Sequence, residues 1–91
     1  MITKTDYQSH PIAYTVVDVR TAEERQKAYI PGSLHIPLAE LLERQIEIPR
    51  HQVIAVVCGS GGGRSIEGAE LLRTLGLNAD WLEGGTHENL D

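Results

Sequence analysis

The sequence predicts an α/β fold, a parallel sheet with helices on its faces, and two observations carry that expectation. Apolar runs alternate with helical patterns in the order strand, helix, strand, helix, strand, helix, strand, the alternation that builds parallel sheets through crossover connections. Two of the runs, YTVVDV at 14–19 and VIAVV at 53–57, are continuous and rich in β-branched residues, as in strands covered on both sides.

The elements follow in order. The run at 14–19 is the first clear strand. Thr21, with Glu24 three residues on, forms a capping-box signature, so a short helix begins in TAEERQKAY. Pro31 and Gly32 end it. SLHIP at 33–37 reads as a short strand, and Leu38, Leu41, Leu42 and Gln45 then share one side of an amphipathic helix. After the strand at 53–57, Ile66, Ala69, Leu72 and Leu75 recur at helical spacing from about Ser65, and Gly76 is placed as the stop. NADWL at 78–82 is the last strand and EGG the turn after it. Gly68, inside the preceding helix, is expected to let that helix lie close to the sheet.

Ninety-one residues make one small domain, 1–91, whose core is adequate rather than generous. With no Phe and one Trp, that core must be mainly Val, Ile, Leu and Ala. A net charge of −5 argues against a sequence-independent nucleic-acid binder, which needs basic patches. The single cysteine excludes an internal disulfide, and no run of apolar residues is long enough for a membrane span. A monomer in a reducing cytoplasm, with no nucleic-acid or membrane partner, is the expectation. His10, His35, His51 and His87 are scattered without ligand spacing, so no metal site and no cofactor are expected.

The chemistry concentrates in VVCGSGGGRS, residues 56–65. Cys58 ends the most hydrophobic strand, and ligand sites in parallel sheets gather at the carboxyl ends of strands. The helix beginning near Ser65 points its unpaired N–H groups and positive dipole end back toward Cys58. Gly59, Gly61, Gly62 and Gly63 carry no side chain to block a converging ring of amides, and Arg64 adds a permanent charge with forked donors. All three features favour a thiolate over a thiol. Ser65 is placed either to cap the helix or to hydrogen-bond that thiolate.

At this point the chain resembles the rhodanese family. VVDVRTAEER is similar to that family's strand, Asp-x-Arg and acidic helix; YIPGSLHIPL to its HIPGAxNIPL segment; VVCGSGGGRS to its active-site loop; and LGLNADWLEGG to its closing strand and Gly-Gly. The likeness runs over about residues 16–85. It implies a three-layer α/β/α domain on a parallel sheet of about four to five strands. It also implies a sulfurtransferase in which Cys58 takes sulfane sulfur from thiosulfate or a similar small donor. The sulfur is held as a persulfide and passed to cyanide or a thiol, including a protein thiol. Residue by residue, Cys58 would be the nucleophile. Gly59, Ser60, Gly61, Gly62, Gly63, Arg64 and Ser65 would bind the substrate or anion, and Asp18 and Arg20 would brace the fold beside the site.

Three departures from the family bear on this. Five residues separate Cys58 from Arg64, where sulfurtransferases of this family have four. Cys-x5-Arg is the spacing of phosphatases and arsenate reductases of the same fold, so a phosphatase or arsenate reductase is the alternative activity. A non-catalytic regulatory domain is the third reading. The family's opening strand and helix must be compressed, with MIT as a token edge strand. The last helix is expected to be short or absent, leaving one face of the sheet thinly covered. Elsewhere EERQK reads as a solvated helix face, His35 as a structural group on a strand edge, and Trp81 as core or a lip near the site.

Overall fold

The computed structural model describes residues 1–60 and 62–90. Four strands form the central sheet: β1 (Tyr14–Asp18), β2 (Leu34–His35), β3 (Val53–Val57) and β4 (Ala79–Trp81). Their spatial order is β2-β1-β3-β4, and every pairing is parallel. Ile2 adds a parallel bridge to Leu82 beyond β4, its N–H donating to Trp81 O at 2.8 Å. MIT is thus held at the sheet edge by one residue.

Between the strands lie α1 (Lys4–Ser9), α2 (Ala22–Lys27), α3 (Leu41–Arg44), α4 (Gly63–Thr74) and α5 (Gly85–Asn89). The alternating side chains of β1 and β3 divide the core in two. Val17, Val19, Ile54, Val56 and Cys58 face Leu41 of α3 and Ala69 and Leu72 of α4. Val16, Ala55 and Val57 face the other way, with Ile2, Ile30 and Leu82, and Tyr7 of α1 packs against them. α5 is tied to α1 by Lys4 Nζ to Glu88 at 3.0 Å and Gln8 Nε2 to Asn89 Oδ1 at 3.4 Å. The result is helix, sheet, helix, the three-layer arrangement the sequence implied. No helix among the described residues is long and apolar enough to cross a membrane.

On the second face, α5 is short at five residues, and α1 shares that side of the sheet through Tyr7. The start of α1 carries a capping signal: Thr3 Oγ1 accepts from the backbone N–H of Asp6 at 3.0 Å. The same Thr-x-x-acid pattern marks α2, where Thr21 and Glu24 form the full capping box.

The helix expected over 38–45 is broken instead into a 3-10 turn (Leu38–Glu40), α3 and a second 3-10 turn (Gln45–Glu47). Of the expected apolar stripe only Leu41 is buried; Leu42 is 58% exposed. A segment this short has no stability of its own. The tighter turns bring Ile48 into the core instead. The strand expected over 33–37 shortens to two residues because Pro37 has no N–H to donate. The ladder resumes across it, with Ile36 and Leu38 donating to Asp18 O and Val19 O at 3.0 and 3.1 Å.

Gly68 lies where α4 crosses the sheet. A Cβ there would stand 3.2 Å from Val56 Cγ1 and 3.4 Å from Leu41 Cδ2, both on fully buried side chains. Gly68→Val is therefore expected to overpack this layer and destabilise the domain by about 2 kcal/mol. A urea unfolding midpoint equal to wild type would show that α4 has room to retreat.

Candidate active site

The strand order sets the position of the site. The chain leaves β1 to one side for β2 and returns to the other side for β3, so a crevice opens at the carboxyl ends of these two central strands. Asp18 ends β1, and Cys58 directly follows β3. Cys58 is 4% exposed and forms the floor of a cleft of about 400 Å³. Glu24, Gly59, Ser60, Gly63, Arg64 and His87 line the cleft around it.

Two peptides of the loop are oriented by α5. Thr86 N–H donates to Cys58 O and His87 N–H to Gly59 O, each at 2.9 Å; the Thr86 hydroxyl also reaches Gly59 O at 3.4 Å. Helix-start N–H groups have no intrahelical acceptor, and here they find loop carbonyls. In a trans peptide N–H and C=O point opposite ways, so the amides of Gly59 and Ser60 are directed away from α5. Gly84 and Gly85 make this approach possible: their φ values of 79° and 51° are left-handed, a region costly for other residues. The sequence predicts EGG as a turn, which Glu83 and Gly84 form, but does not place His87. The Gly-Gly pair directly before THEN was the available signal of a sharp return toward the loop.

On the other side of the sulfur the backbone presents an acceptor. Gly62 O lies 2.9 Å from Cys58 Sγ and receives the thiol hydrogen. The hydroxyl and the N–H of Ser65 donate to the same oxygen, each at 2.9 Å. Ser65 is fully buried and helps hold this carbonyl in place. α4 begins at Gly63, two residues earlier than expected, so Gly63, Arg64 and Ser65 form its first turn and Gly62 is its N-cap. Gly61, expected among the anion-binding residues, lies outside the described residues.

Arg64 reaches across the cleft to α2. Its two terminal nitrogens meet the two carboxylate oxygens of Glu24 at 2.6 and 2.9 Å, a forked pair. Glu24 also closes the α2 capping box through Thr21. The Arg64 guanidinium beside it holds the Glu24 carboxyl down to about 2, with the Thr21 hydrogen bonds adding to the effect against a partial loss of solvent. Arg64 is raised in turn, chiefly by Glu24 and in smaller part by the charge of Cys58.

A carboxyl whose folded-state pKa lies below its unfolded value stabilises the fold above the unfolded pKa and loses that contribution as pH falls. The difference in urea midpoint between wild type and Glu24→Gln is therefore expected to be widest near neutrality. It should close as pH falls from about 4.5 toward about 2. A difference that stays constant over that range would mean the pair contributes nothing to the fold.

Asp18 and Arg20 lie beneath the cleft, both buried. Asp18 accepts the N–H of Arg20 at 3.0 Å, its guanidinium at 2.9 to 3.2 Å and that of Arg25 at 3.3 Å. Arg20 also donates to Ala28 O at 2.7 Å and Arg25 to Ser33 O at 2.9 Å, tying β1 to the segment leading into β2. His35 Nε2 meets Arg20 O at 2.8 Å. Trp81 packs against the α3–α4 side of the core. Of the four histidines only His87 lines the cleft, and no group of three or more metal-ligating side chains occurs among the described residues.

A parallel three-layer domain with one cysteine at its switch point, heading a glycine loop that runs into a helix, defines the class. The chain belongs to the rhodanese-like domain family, whose pattern matches residues 3–89. It is 46% identical over 46 residues to the putative sulfur carrier protein YrkF of Bacillus subtilis (strain 168), half of this chain and 25% of that relative. The chain thus spans about a quarter of that curated relative's length. Among solved structures it is similar to a rhodanese-related protein of Thermoplasma volcanium, with a TM-score of 0.85 and 39% identity over 92% of this chain and 83% of that one. A NAD-dependent persulfide reductase from A. fulgidus superposes with a TM-score of 0.66 and 42% identity, over 79% of this chain and 13% of that one.

Proposed function

We propose that this domain is a sulfurtransferase in which Cys58 carries sulfane sulfur as a persulfide. The observation that carries the reading is the position of Cys58. It lies at the carboxyl end of the central strand β3, at the floor of a cleft and beside the first turn of a twelve-residue helix. The names of two relatives, a putative sulfur carrier and a persulfide reductase, agree with sulfur transfer as the general activity. Thiosulfate or a similar donor, and cyanide or a thiol as acceptor, complete the proposed reaction.

The thiolate of Cys58 is the attacking form. It displaces sulfite from the outer sulfur of thiosulfate: one S–S bond forms, one breaks, and sulfite leaves as a stable anion without a proton. A thiolate 2.9 Å from the Gly62 carbonyl would oppose two negative ends. Exchanging that oxygen for the Gly63 N–H requires the peptide between Gly62 and Gly63 to turn, which also breaks the two hydrogen bonds from Ser65 to that oxygen. Both flanking torsions belong to glycines, and Gly63 already sits at φ 28°, where other residues are strained. The turned amide, the Gly59 and Ser60 amides and the start of α4 then face the charge on the persulfide.

Phosphate transfer has less support. A phosphate monoester releases an alkoxide or phenoxide, which needs a general acid. The carboxyl lining the cleft, Glu24, is held down to about 2 and is ionised at neutral pH. Asp18 is fully buried between Arg20 and Arg25, which leaves His87, also lining the cleft, as the candidate acid for that reading.

The test is turnover. Purified protein supplied with thiosulfate or glutathione persulfide, then cyanide, is expected to form thiocyanate and to leave an aryl phosphate intact. Aryl phosphate hydrolysis without thiocyanate would reverse the assignment.

A further inference from the structure

The pair between Glu24 and Arg64 has a consequence for the donor. Arg64 is the permanent positive charge of the Cys58 cleft, yet its two terminal nitrogens already face the two oxygens of Glu24 at 2.6 and 2.9 Å. Glu24 lines the same cleft. A donor approaching Cys58 therefore meets a cancelled pair, not a bare cation. The chain as a whole carries a net charge of −5, which repels anions at longer range.

Building on the sulfurtransferase reading, we infer that Glu24 is a specificity-determining residue that turns the cleft toward organic persulfides and away from thiosulfate. Its carboxylate occupies the fork of Arg64 that a small dianion would use. Discrimination of this kind rests on a repulsive element as much as on an attractive one. Thiosulfate brings two negative charges to the reacting end. A hydropersulfide R–S–SH brings at most one, on a sulfur that needs no bidentate clamp. Cys58 thiolate attacks the outer sulfur of R–S–SH; the new S–S bond forms as the old one breaks. The thiolate R–S⁻ departs, and the proton stays on the transferred sulfur. Charge and atoms balance with no further reactant.

Glu24→Gln removes the charge with little change of shape, because glutamine serves in a capping box as glutamate does. The experiment compares thiosulfate with glutathione persulfide as donor, cyanide as acceptor, and reads the ratio of their kcat/KM values in the full chain. The ratio of thiosulfate to persulfide is expected to rise about fivefold in Glu24→Gln and to return to the wild-type value when Arg64→Leu is added. An unchanged or lower ratio overturns the inference, as does a rise that survives the loss of Arg64.

A second measurement needs no variant. For wild type, kcat/KM with thiosulfate is expected to stay level or rise as salt increases from about 20 to about 200 mM, since screening relieves repulsion. A fall would show Arg64 attracting the dianion despite Glu24, and would also overturn the inference. Failure of the underlying reading looks different: neither donor then yields thiocyanate with wild type or variant, and both proposals fall together.

Discussion

Cys58→Ser is expected to abolish sulfur transfer, with thiocyanate formation falling at least about a thousandfold and no sulfur retained on the protein. Serine has nearly the size of cysteine, and its hydroxyl can donate to Gly62 O as the thiol does at 2.9 Å. The fold is therefore expected to survive, with a thermal midpoint within about 4 °C of wild type. The change thus removes the sulfur chemistry and keeps the scaffold. Residual transfer near the wild-type rate would move the nucleophile away from Cys58, and this chain has no second cysteine to take its place.

Asp18→Ala is expected to have the largest effect on stability. The carboxylate is fully buried and holds two guanidinium groups and a backbone N–H. Removing it leaves Arg20, which is only 6% exposed, with an uncompensated charge. Breaking a buried pair this way costs about 3–5 kcal/mol, against a total of roughly 5–14 kcal/mol for a domain of this size. Urea unfolding should show a midpoint shifted far down, or no cooperative transition at all. Asp18→Asn keeps an acceptor and is expected to lose less. Equal losses for both variants would mean that the negative charge of Asp18, and not the shape or acceptor that asparagine keeps, is what Asp18 supplies. Because the network ties β1 to the entry of β2 beneath the cleft, activity should fall with the fold.

Much of this was legible locally. The β-branched runs of β1 and β3 and the Thr21–Glu24 capping box are patterns within a few residues, and each formed where the sequence predicts it. Gly68 was also readable, since a glycine inside an apolar helical stripe implies a close neighbour. What escaped were features decided by tertiary contacts. The bounds of α1 and α5 are set this way: at six and five residues they are too short for a periodic signature, so the sequence implies only a compressed opening helix and a short or absent last one. The segment 38–47 had a helical stripe, but one buried leucine cannot hold a regular helix against the need to bury Ile48. The bond between Glu24 and Arg64 joins residues 40 apart. Glu24 was read correctly as a cap and Arg64 as a charge at the loop; nothing in the local pattern says that one cancels the other.

The direction of the Gly62 carbonyl was equally hidden. Glycine spacing implies freedom at a peptide, not which of its two ends faces the sulfur. On the sulfurtransferase reading, that carbonyl disfavours a thiolate at Cys58 until the peptide turns.

Intact-protein mass spectrometry after incubation with glutathione persulfide tests the central claim most directly. The account predicts a gain of one sulfur atom, mapped to Cys58, lost on addition of cyanide and absent from Cys58→Ser. A wild-type mass that never changes, in protein whose Cys58 still reacts with an alkylating agent, would contradict it.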